Sequence, residues 1–176
     1  MAVGSTSSTI GAGIQPTTNE IQEHRCGHPD GSGRNIVFID TPGIGRYKTA
    51  SDVLWAISGW LTDKYQGNVL LTGILFMHRI TDNRVPGAET AHMRTQLLNA
   101  LCGGSDLRNV VLVTTMCDEV EKAIITTRVA DLQENFWQDM ITDGSRVDSS
   151  YCHTPESAWD ILNQFRELRP PQNNQS

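Results

Sequence analysis

Two short patterns in the sequence place a carboxylate after an apolar run. Residues 40–43 read DTPG and follow IVFI, whereas residues 115–118 read TMCD and follow NVVLVT. A carboxylate at the end of a strand can hold Mg²⁺ through water. Gly43 can bring its backbone N–H to a phosphate, because glycine has no side chain in the way. The first pattern, of DxxG form, therefore predicts a phosphate and Mg²⁺ site at Asp40 and Gly43.

The second pattern predicts recognition of a base. The carboxylate of Asp118 can accept hydrogen bonds from both nitrogens on one edge of guanine, and no other common base presents that pair of donors. The DxxG pattern is common by itself. Here a TxxD pattern follows it two strand–helix units later, at the end of another predicted strand. We therefore predict that Asp118 selects guanine.

Each of these residues also has a purely structural explanation. Asp, Pro and Gly are frequent where a strand ends in a turn, so residues 40–43 can be an ordinary turn. Asp118 can be a solvated helix cap ahead of the EVEK segment. A metal site at His24, Cys26 and His28 is disfavoured, because no fourth ligand is in evident register with them. No pattern in the sequence is typical of nucleophilic catalysis.

The elements that would position these residues begin with a hairpin. The segments NEIQEHRC and RNIVFID, joined by the turn-rich HPDGSG, predict two antiparallel strands. We expect this hairpin at a sheet edge, with residues 69–78 as a strand parallel to its second member. Ser51 and Asp52 can cap the helix that follows the hairpin. Residues 1–16 are expected to lack a strand.

The remaining segments alternate between strand and helix. The apolar runs NVLLTGILFMHRI and NVVLVTTMCDEV are typical of buried parallel strands. EKAIITTRVADLQENFWQDMI predicts one long helix, and ESAWDILNQFREL a final one. The order strand, strand, helix, strand, helix, strand, helix, helix predicts a doubly wound α/β domain with a mostly parallel sheet. Such sheets bind ligands at the carboxyl ends of their strands, so we expect Asp40, Gly43 and Asp118 at one edge.

Composition sets limits on the class of protein. The chain has 176 residues, of which 38% are hydrophobic and 19% charged, as is ordinary for one globular domain. A net charge of −6 disfavours a general nucleic-acid-binding surface. No segment is long and apolar enough for a transmembrane span. The four cysteines form no CxxC pair and are interpreted as reduced thiols, so we expect a cytoplasmic protein.

Four segments resemble a known family: IVFIDTPGIGR, LLTGILFMHRITDNR, LLNALCGGSDLRNVVLVTTMCDEV and TPESAWDIL. They look like the G domains of P-loop GTPases found in many fungal, especially mushroom, proteins, which are similar to the immunity-associated and septin-like GTPases. The resemblance covers residues 11–168. It implies a domain that binds GTP or GDP together with Mg²⁺, in a family that hydrolyses GTP.

The resemblance also implies roles for individual residues. Asp40 and Gly43 match the phosphate and Mg²⁺ motif, and Asp118 matches the guanine-specificity carboxylate. Thr18 matches the switch threonine that binds Mg²⁺ and the terminal phosphate. Thr115 lies in the nucleotide-binding motif at a position where small GTPases usually carry Asn, and the next residue, a methionine, stands in place of their Lys.

The part of the family pattern that this sequence lacks is GxxxxGK[ST], whose backbone amides and lysine hold the phosphates. The sequence therefore predicts an incomplete G domain over residues 1–168, without the first strand and the P-loop. Within it, residues 1–18 are a flexible start, and residues 169–176 are a disordered tail. A truncated GTPase and a degenerate G domain both explain this pattern.

Two functions follow from the two explanations. The first is a guanine-nucleotide-binding domain whose affinity is impaired by the missing loop, with hydrolysis no faster than background. The second is a nucleotide-free module that kept the fold and binds a protein partner, or a second copy of itself, through the G-domain face. Fold by itself does not decide between them.

Overall fold

The structure, a computed structural model, describes residues 20–44, 49–66, 71–82, 88–104 and 106–165, with the backbone alone for residues 88–91. The predictions for Thr18, for residues 1–16 and for residues 169–176 lie outside these ranges. The chain divides into two compact units between residues 70 and 71. We call them the N-terminal unit and the C-terminal unit.

Strands precede a helix in the N-terminal unit, and strands and helices alternate in the C-terminal unit. The described elements of the N-terminal unit are β1 (Gln22–Gly27), β2 (Asn35–Asp40) and α1 (Ala50–Tyr65). Those of the C-terminal unit are β3 (Ile74–Arg79), α2 (Ala88–Cys102), β4 (Val110–Thr115), α3 (Lys122–Asp131), α4 (Gln138–Thr142), β5 (Arg146–Asp148) and α5 (Pro155–Asn163). The structure is thus of the α/β class.

The predicted hairpin is confirmed. β1 and β2 pair antiparallel, in a register that places Gln22 opposite Asp40. In the connection between them, the backbone N–H of Ser32 donates to the Asp30 carboxylate over 3.0 Å. Gly31 and Gly33 have φ of 69° and 71°, a region that glycine adopts without a steric cost. Local turn chemistry therefore suffices to form this hairpin.

Helix α1 begins at Ala50, slightly earlier than a cap at Ser51 would place it. Its N-cap is Thr49, whose hydroxyl accepts the backbone N–H of Asp52 over 3.2 Å. The Asp52 carboxylate accepts the Thr49 backbone N–H over 2.8 Å in return, which completes a capping box. Asp52 thus takes part in the cap as predicted, whereas Ser51 lies inside the helix.

One carboxylate ties α1 to β1 within the N-terminal unit. Glu23, whose side chain is 12% exposed, accepts hydrogen bonds from Arg25 Nε over 2.5 Å and from the Tyr65 hydroxyl over 3.3 Å. It also forms an ion pair with Lys64. The contact with Lys64, followed by that with Arg25, lowers the pKa of Glu23, although burial acts in the opposite direction. The last turn of α1 is therefore held at the start of the hairpin.

A parallel sheet forms the centre of the C-terminal unit. Its three strands lie in the order β3-β4-β5, and both strand pairs are parallel. All six residues of β4 are buried, as expected for a central strand that is covered on both faces. The described strands form two sheets, the hairpin and this one, whereas the sequence predicted a single sheet.

Apolar side chains cover both faces of the parallel sheet. Alternate residues of β4 enter different clusters, because successive side chains of a strand point to opposite faces. One cluster contains the buried residues Ile80, Leu98, Leu107, Val110, Leu112, Leu132, Trp137 and Met140. The other contains Val111, Val113, Ile161 and Phe165. Helices α2 and α4 contribute to the first face and α5 to the second, so helices lie on both sides of the sheet.

Two elements of the C-terminal unit differ from the sequence prediction. The single long helix expected after residue 120 is divided into α3 and α4 by a π-helical turn, Leu132–Phe136. The π turn brings Leu132 and Trp137 into the core, where each is 2% exposed. The sequence prediction also missed β5, whose three residues are only partly buried. A strand this short and polar has no apolar pattern to reveal it.

No helix in the described part of the chain combines the length and apolar character that crossing a bilayer requires.

Candidate functional site

The first predicted pattern lies at the end of β2, in the N-terminal unit. Asp40 is the last residue of the strand and is exposed. Two residues later Pro42 is buried, and Gly43 after it is exposed again. The last residue of the strand and the glycine of the pattern are therefore both exposed.

Gly43 has no structural need to be a glycine within the described part of the chain. A Cβ built at this position meets no atom within 4 Å, and its φ lies outside the left-handed region. Neither crowding nor backbone strain therefore explains the residue. An exposed glycine at this position fits the DxxG pattern.

The second pattern lies at the end of β4, the central strand of the parallel sheet. Thr115 is 7% exposed, and its hydroxyl donates to the carbonyl of His78 over 3.4 Å. The Thr115 carbonyl accepts the backbone N–H of Ile80 over 3.0 Å. Both bonds join the end of β4 to the end of β3. The described contacts of Thr115 are therefore those of a residue that aligns two strand ends.

The turn after β4 is built on a strained residue. Met116 has φ 59° and ψ 31°, the left-handed conformation that costs a non-glycine residue roughly 1–2 kcal/mol. Its carbonyl accepts the backbone N–H of Glu119 over 3.2 Å, which closes a single 3₁₀ turn, Cys117–Glu119. This turn projects Asp118 away from the core, with 58% of its side chain exposed. Strain of this kind often accompanies a functional site.

A histidine lies beside Asp118, and a tyrosine packs against that histidine. The Asp118 Oδ1 is 3.6 Å from Nδ1 of His153, and the His153 ring meets the Tyr151 ring edge-on, with 5.1 Å between the centroids. Both residues belong to the loop that follows β5. We call Asp118, Tyr151 and His153 the carboxyl-edge cluster, because they lie where β4 and β5 end.

Hydrogen bonds within the C-terminal unit hold this loop in place. The carboxylate of Asp148, the last residue of β5, accepts the Ser150 backbone N–H over 2.8 Å and the side chain of Gln164 over 2.5 Å. At the other end of the loop, Thr154 caps α5 by accepting the Ser157 backbone N–H over 3.2 Å. The loop therefore presents Tyr151 and His153 from two fixed ends.

Burial sets the ionisation of the tyrosine in the cluster. Desolvation raises the pKa of Tyr151, and the neighbouring Cys152 raises it further. The phenol therefore stays neutral at physiological pH and presents a ring face and a hydroxyl. The carboxyl-edge cluster thus combines an edge-on pair of aromatic rings with an exposed carboxylate.

The structure brings some of the predicted site residues together and leaves others in separate units. Thr115 and Asp118 lie together at the end of β4, and Asp40 and Gly43 lie together at the end of β2. The two pairs belong to different units, so the expectation of a single edge stays a prediction. Sequence reasoning missed Tyr151 and His153, because their position depends on β5, which no apolar pattern revealed.

The positions of the potential metal ligands bear on the predicted metal sites. No three His, Cys, Asp or Glu side chains gather as a metal site among the described residues. Among these residues His24, Cys26 and His28 therefore form no such site. A Mg²⁺ ion held through water by the single carboxylate of Asp40 needs no such group, so that prediction stays open to experiment.

No protein-family model matches this chain, and no curated protein sequence is significantly similar to it.

Proposed function

We propose that this polypeptide is a guanine-nucleotide-binding domain of the P-loop GTPase type, with an affinity reduced by the lack of the GxxxxGK[ST] loop. The observation that carries the proposal is the position of Asp118. It is an exposed carboxylate at the carboxyl end of the central strand of a parallel sheet, where α/β proteins bind their ligands.

The surroundings of Asp118 support recognition of a base. An ionised carboxylate only accepts hydrogen bonds, and guanine offers two donors on one edge. Tyr151 and His153 supply aromatic surfaces of the kind on which bases stack. In this proposal Asp118 selects guanine while the loop after β5 forms the wall of the base site. Thr115 acts on the base site indirectly, by aligning the strand end that leads to Asp118.

Within the N-terminal unit, the proposal gives Asp40 and Gly43 the roles that the DxxG pattern predicts. Asp40 would hold Mg²⁺ through water, and the Gly43 backbone N–H would reach a phosphate. Thr18 would add a hydroxyl ligand to Mg²⁺, by resemblance to the switch threonine. When bound, Mg²⁺ supplies charge neutralisation for the phosphates.

The absent lysine and amide donors determine the expected affinity. A hydrogen bond to a charged group contributes roughly 1.5–3 kcal/mol, and about 1.4 kcal/mol corresponds to a factor of ten in affinity. Loss of several such bonds weakens binding by several factors of ten. We therefore expect weak binding of GTP or GDP with Mg²⁺ and no hydrolysis above background.

Calorimetric titration with guanosine and adenosine nucleotides in the presence of Mg²⁺ tests the proposal. We expect weak binding that favours guanine, that is lost in Asp118→Ala and that persists in Glu119→Ala. Glu119 is the matched control, because it is an exposed carboxylate in the same 3₁₀ turn. Equal binding of ATP and GTP, or equal effects of the two substitutions, would refute base selection by Asp118.

The second candidate function is a nucleotide-free interaction module. The observation that favours it is Trp55 on α1, a large apolar side chain that is 79% exposed. Tryptophan is enriched at the energetic centres of protein interfaces. If the module associates with itself, light scattering detects a dimer that Trp55→Ala dissociates. A chain that binds no nucleotide and dimerises in this way would establish this function in place of the first.

A further inference from the structure

A half-buried arginine at the tip of β3 has no described acidic partner. Arg94 of α2 places its guanidinium over the Phe76 ring, with 5.8 Å between the guanidinium carbon and the ring centroid. Its Nε is buried and makes no hydrogen bond. Burial lowers the pKa of Arg94, and no described carboxylate opposes that effect. A charge in this environment is costly unless an anion accompanies it.

A histidine on the same face of the sheet adds a second polar group. His78 lies near the end of β3, and its ring meets the buried Trp137 ring edge-on, with 6.0 Å between the centroids. Burial, followed by the charges of Arg94 and Arg79, lowers the pKa of His78, against the opposing effect of Asp82. The imidazole is therefore neutral at physiological pH and can donate one hydrogen bond.

The nearby carboxylate is already paired. Asp82 Oδ1 lies 3.5 Å from Nη2 of Arg79, and both side chains are largely exposed. The positive charge of Arg94 thus has no counterpart among the described groups around His78. We call Phe76, His78, Arg94 and Trp137 the β3-tip site.

We propose that the β3-tip site binds a small organic carboxylate. A carboxylate supplies one negative charge to balance the positive charge of Arg94. Its two oxygens match the planar fork of a guanidinium. A neutral His78 can donate to the same group. The partly buried Phe76 ring beneath the guanidinium gives the site an apolar side, which suits a ligand with an apolar body. A phosphate dianion would bring a second charge that the site does not balance.

Titration of the full chain with benzoate, followed by NMR at constant ionic strength, tests this site. We expect saturable shifts of the Arg94 side-chain Nε–H and of the His78 ring signals. Arg94→Gln should weaken binding about tenfold or more, because a charge-assisted bidentate contact is lost. Arg108→Gln is the matched control: it removes an exposed arginine of the C-terminal unit whose described side-chain hydrogen bonds are all with Asp106, and it should leave the affinity unchanged.

Two further variants keep the result interpretable. Arg94→Lys retains the positive charge and loses the planar guanidinium. Weaker binding in this variant would therefore support bidentate recognition, even if Arg94→Gln fails to fold. Asp118→Ala should not change benzoate binding, which separates this site from guanine recognition. The absence of saturable shifts, equal losses in Arg94→Gln and Arg108→Gln, or tighter binding of inorganic phosphate than of benzoate would overturn the proposal.

Discussion

Replacement of Gly73 by alanine tests the packing at the start of β3. A Cβ built on Gly73 lies 2.3 Å from both Cδ1 and Cε1 of Phe165, and 2.9 Å from its Cγ. Ordinary contacts of a Cβ begin near 3.4 Å, so the ring has to move by about 1 Å. The glycine is required here by the close approach of an aromatic ring, because its φ lies outside the left-handed region.

The surroundings of Phe165 resist that movement. The ring is 8% exposed and packs with Val111, Val113 and Ile161, which are 0%, 1% and 3% exposed. The Arg146 guanidinium lies over its face, 6.0 Å from the centroid. Overpacking of a close-packed core costs typically about 1–3 kcal/mol. We expect Gly73→Ala to lower the free energy of unfolding by an amount in this range.

Urea denaturation measures the effect, with the midpoint expected to fall and the slope unchanged. Gly59→Ala is a control for which we expect the opposite effect, an increase in the free energy of unfolding. Gly59 lies inside α1 and a Cβ there meets nothing within 4 Å, so alanine should stabilise the helix by about 0.5–1 kcal/mol. Gly73→Ala should cost less in a Phe165→Leu background, because the ring that it meets is absent. An equal cost in both backgrounds would refute the steric explanation.

The remaining predictions concern single contacts. Thr49→Ala should destabilise the N-terminal unit by about 1 kcal/mol in urea denaturation, because it removes the capping box, whereas Ser51→Ala should have little effect. Met116→Val should cost the C-terminal unit about 1 kcal/mol or more, because a β-branched side chain resists φ 59°. Since the folded-state pKa of Glu23 is lowered, its stabilisation is present above its ordinary pKa of 4.5 and is lost as the pH falls through the folded-state value. Glu23→Gln should remove that part of the acid dependence of unfolding.

The opposite result in each experiment would show that the contact concerned does not contribute as described. A larger effect of Ser51→Ala than of Thr49→Ala would place the helix cap at Ser51, as the sequence predicted. A neutral Met116→Val would mean that the turn after β4 is not strained. An unchanged acid dependence in Glu23→Gln would show that the contacts of Glu23 with Arg25, Lys64 and Tyr65 do not persist in solution.

Several elements were determined by the sequence itself, because their causes are local. Turn residues between two alternating segments predicted the hairpin, which is confirmed. The apolar run of β4 predicted a buried parallel strand, and all six of its residues are buried. The place of Asp118, just after that strand, follows from the same run. Its proposed role in binding guanine is a prediction from residue type and resemblance.

Other features were decided only by tertiary structure. The π turn between α3 and α4 forms where Leu132 and Trp137 must both enter the core, which periodicity alone does not reveal. Strand β5 exists because three partly buried residues pair with β4, and no apolar pattern marks them. The approach of His153 to Asp118 depends on β5 and its loop, so residues far apart in the sequence meet there. Contacts of this kind arise from pairing and packing across the chain, whereas local sequence specifies only the turns, caps and apolar runs.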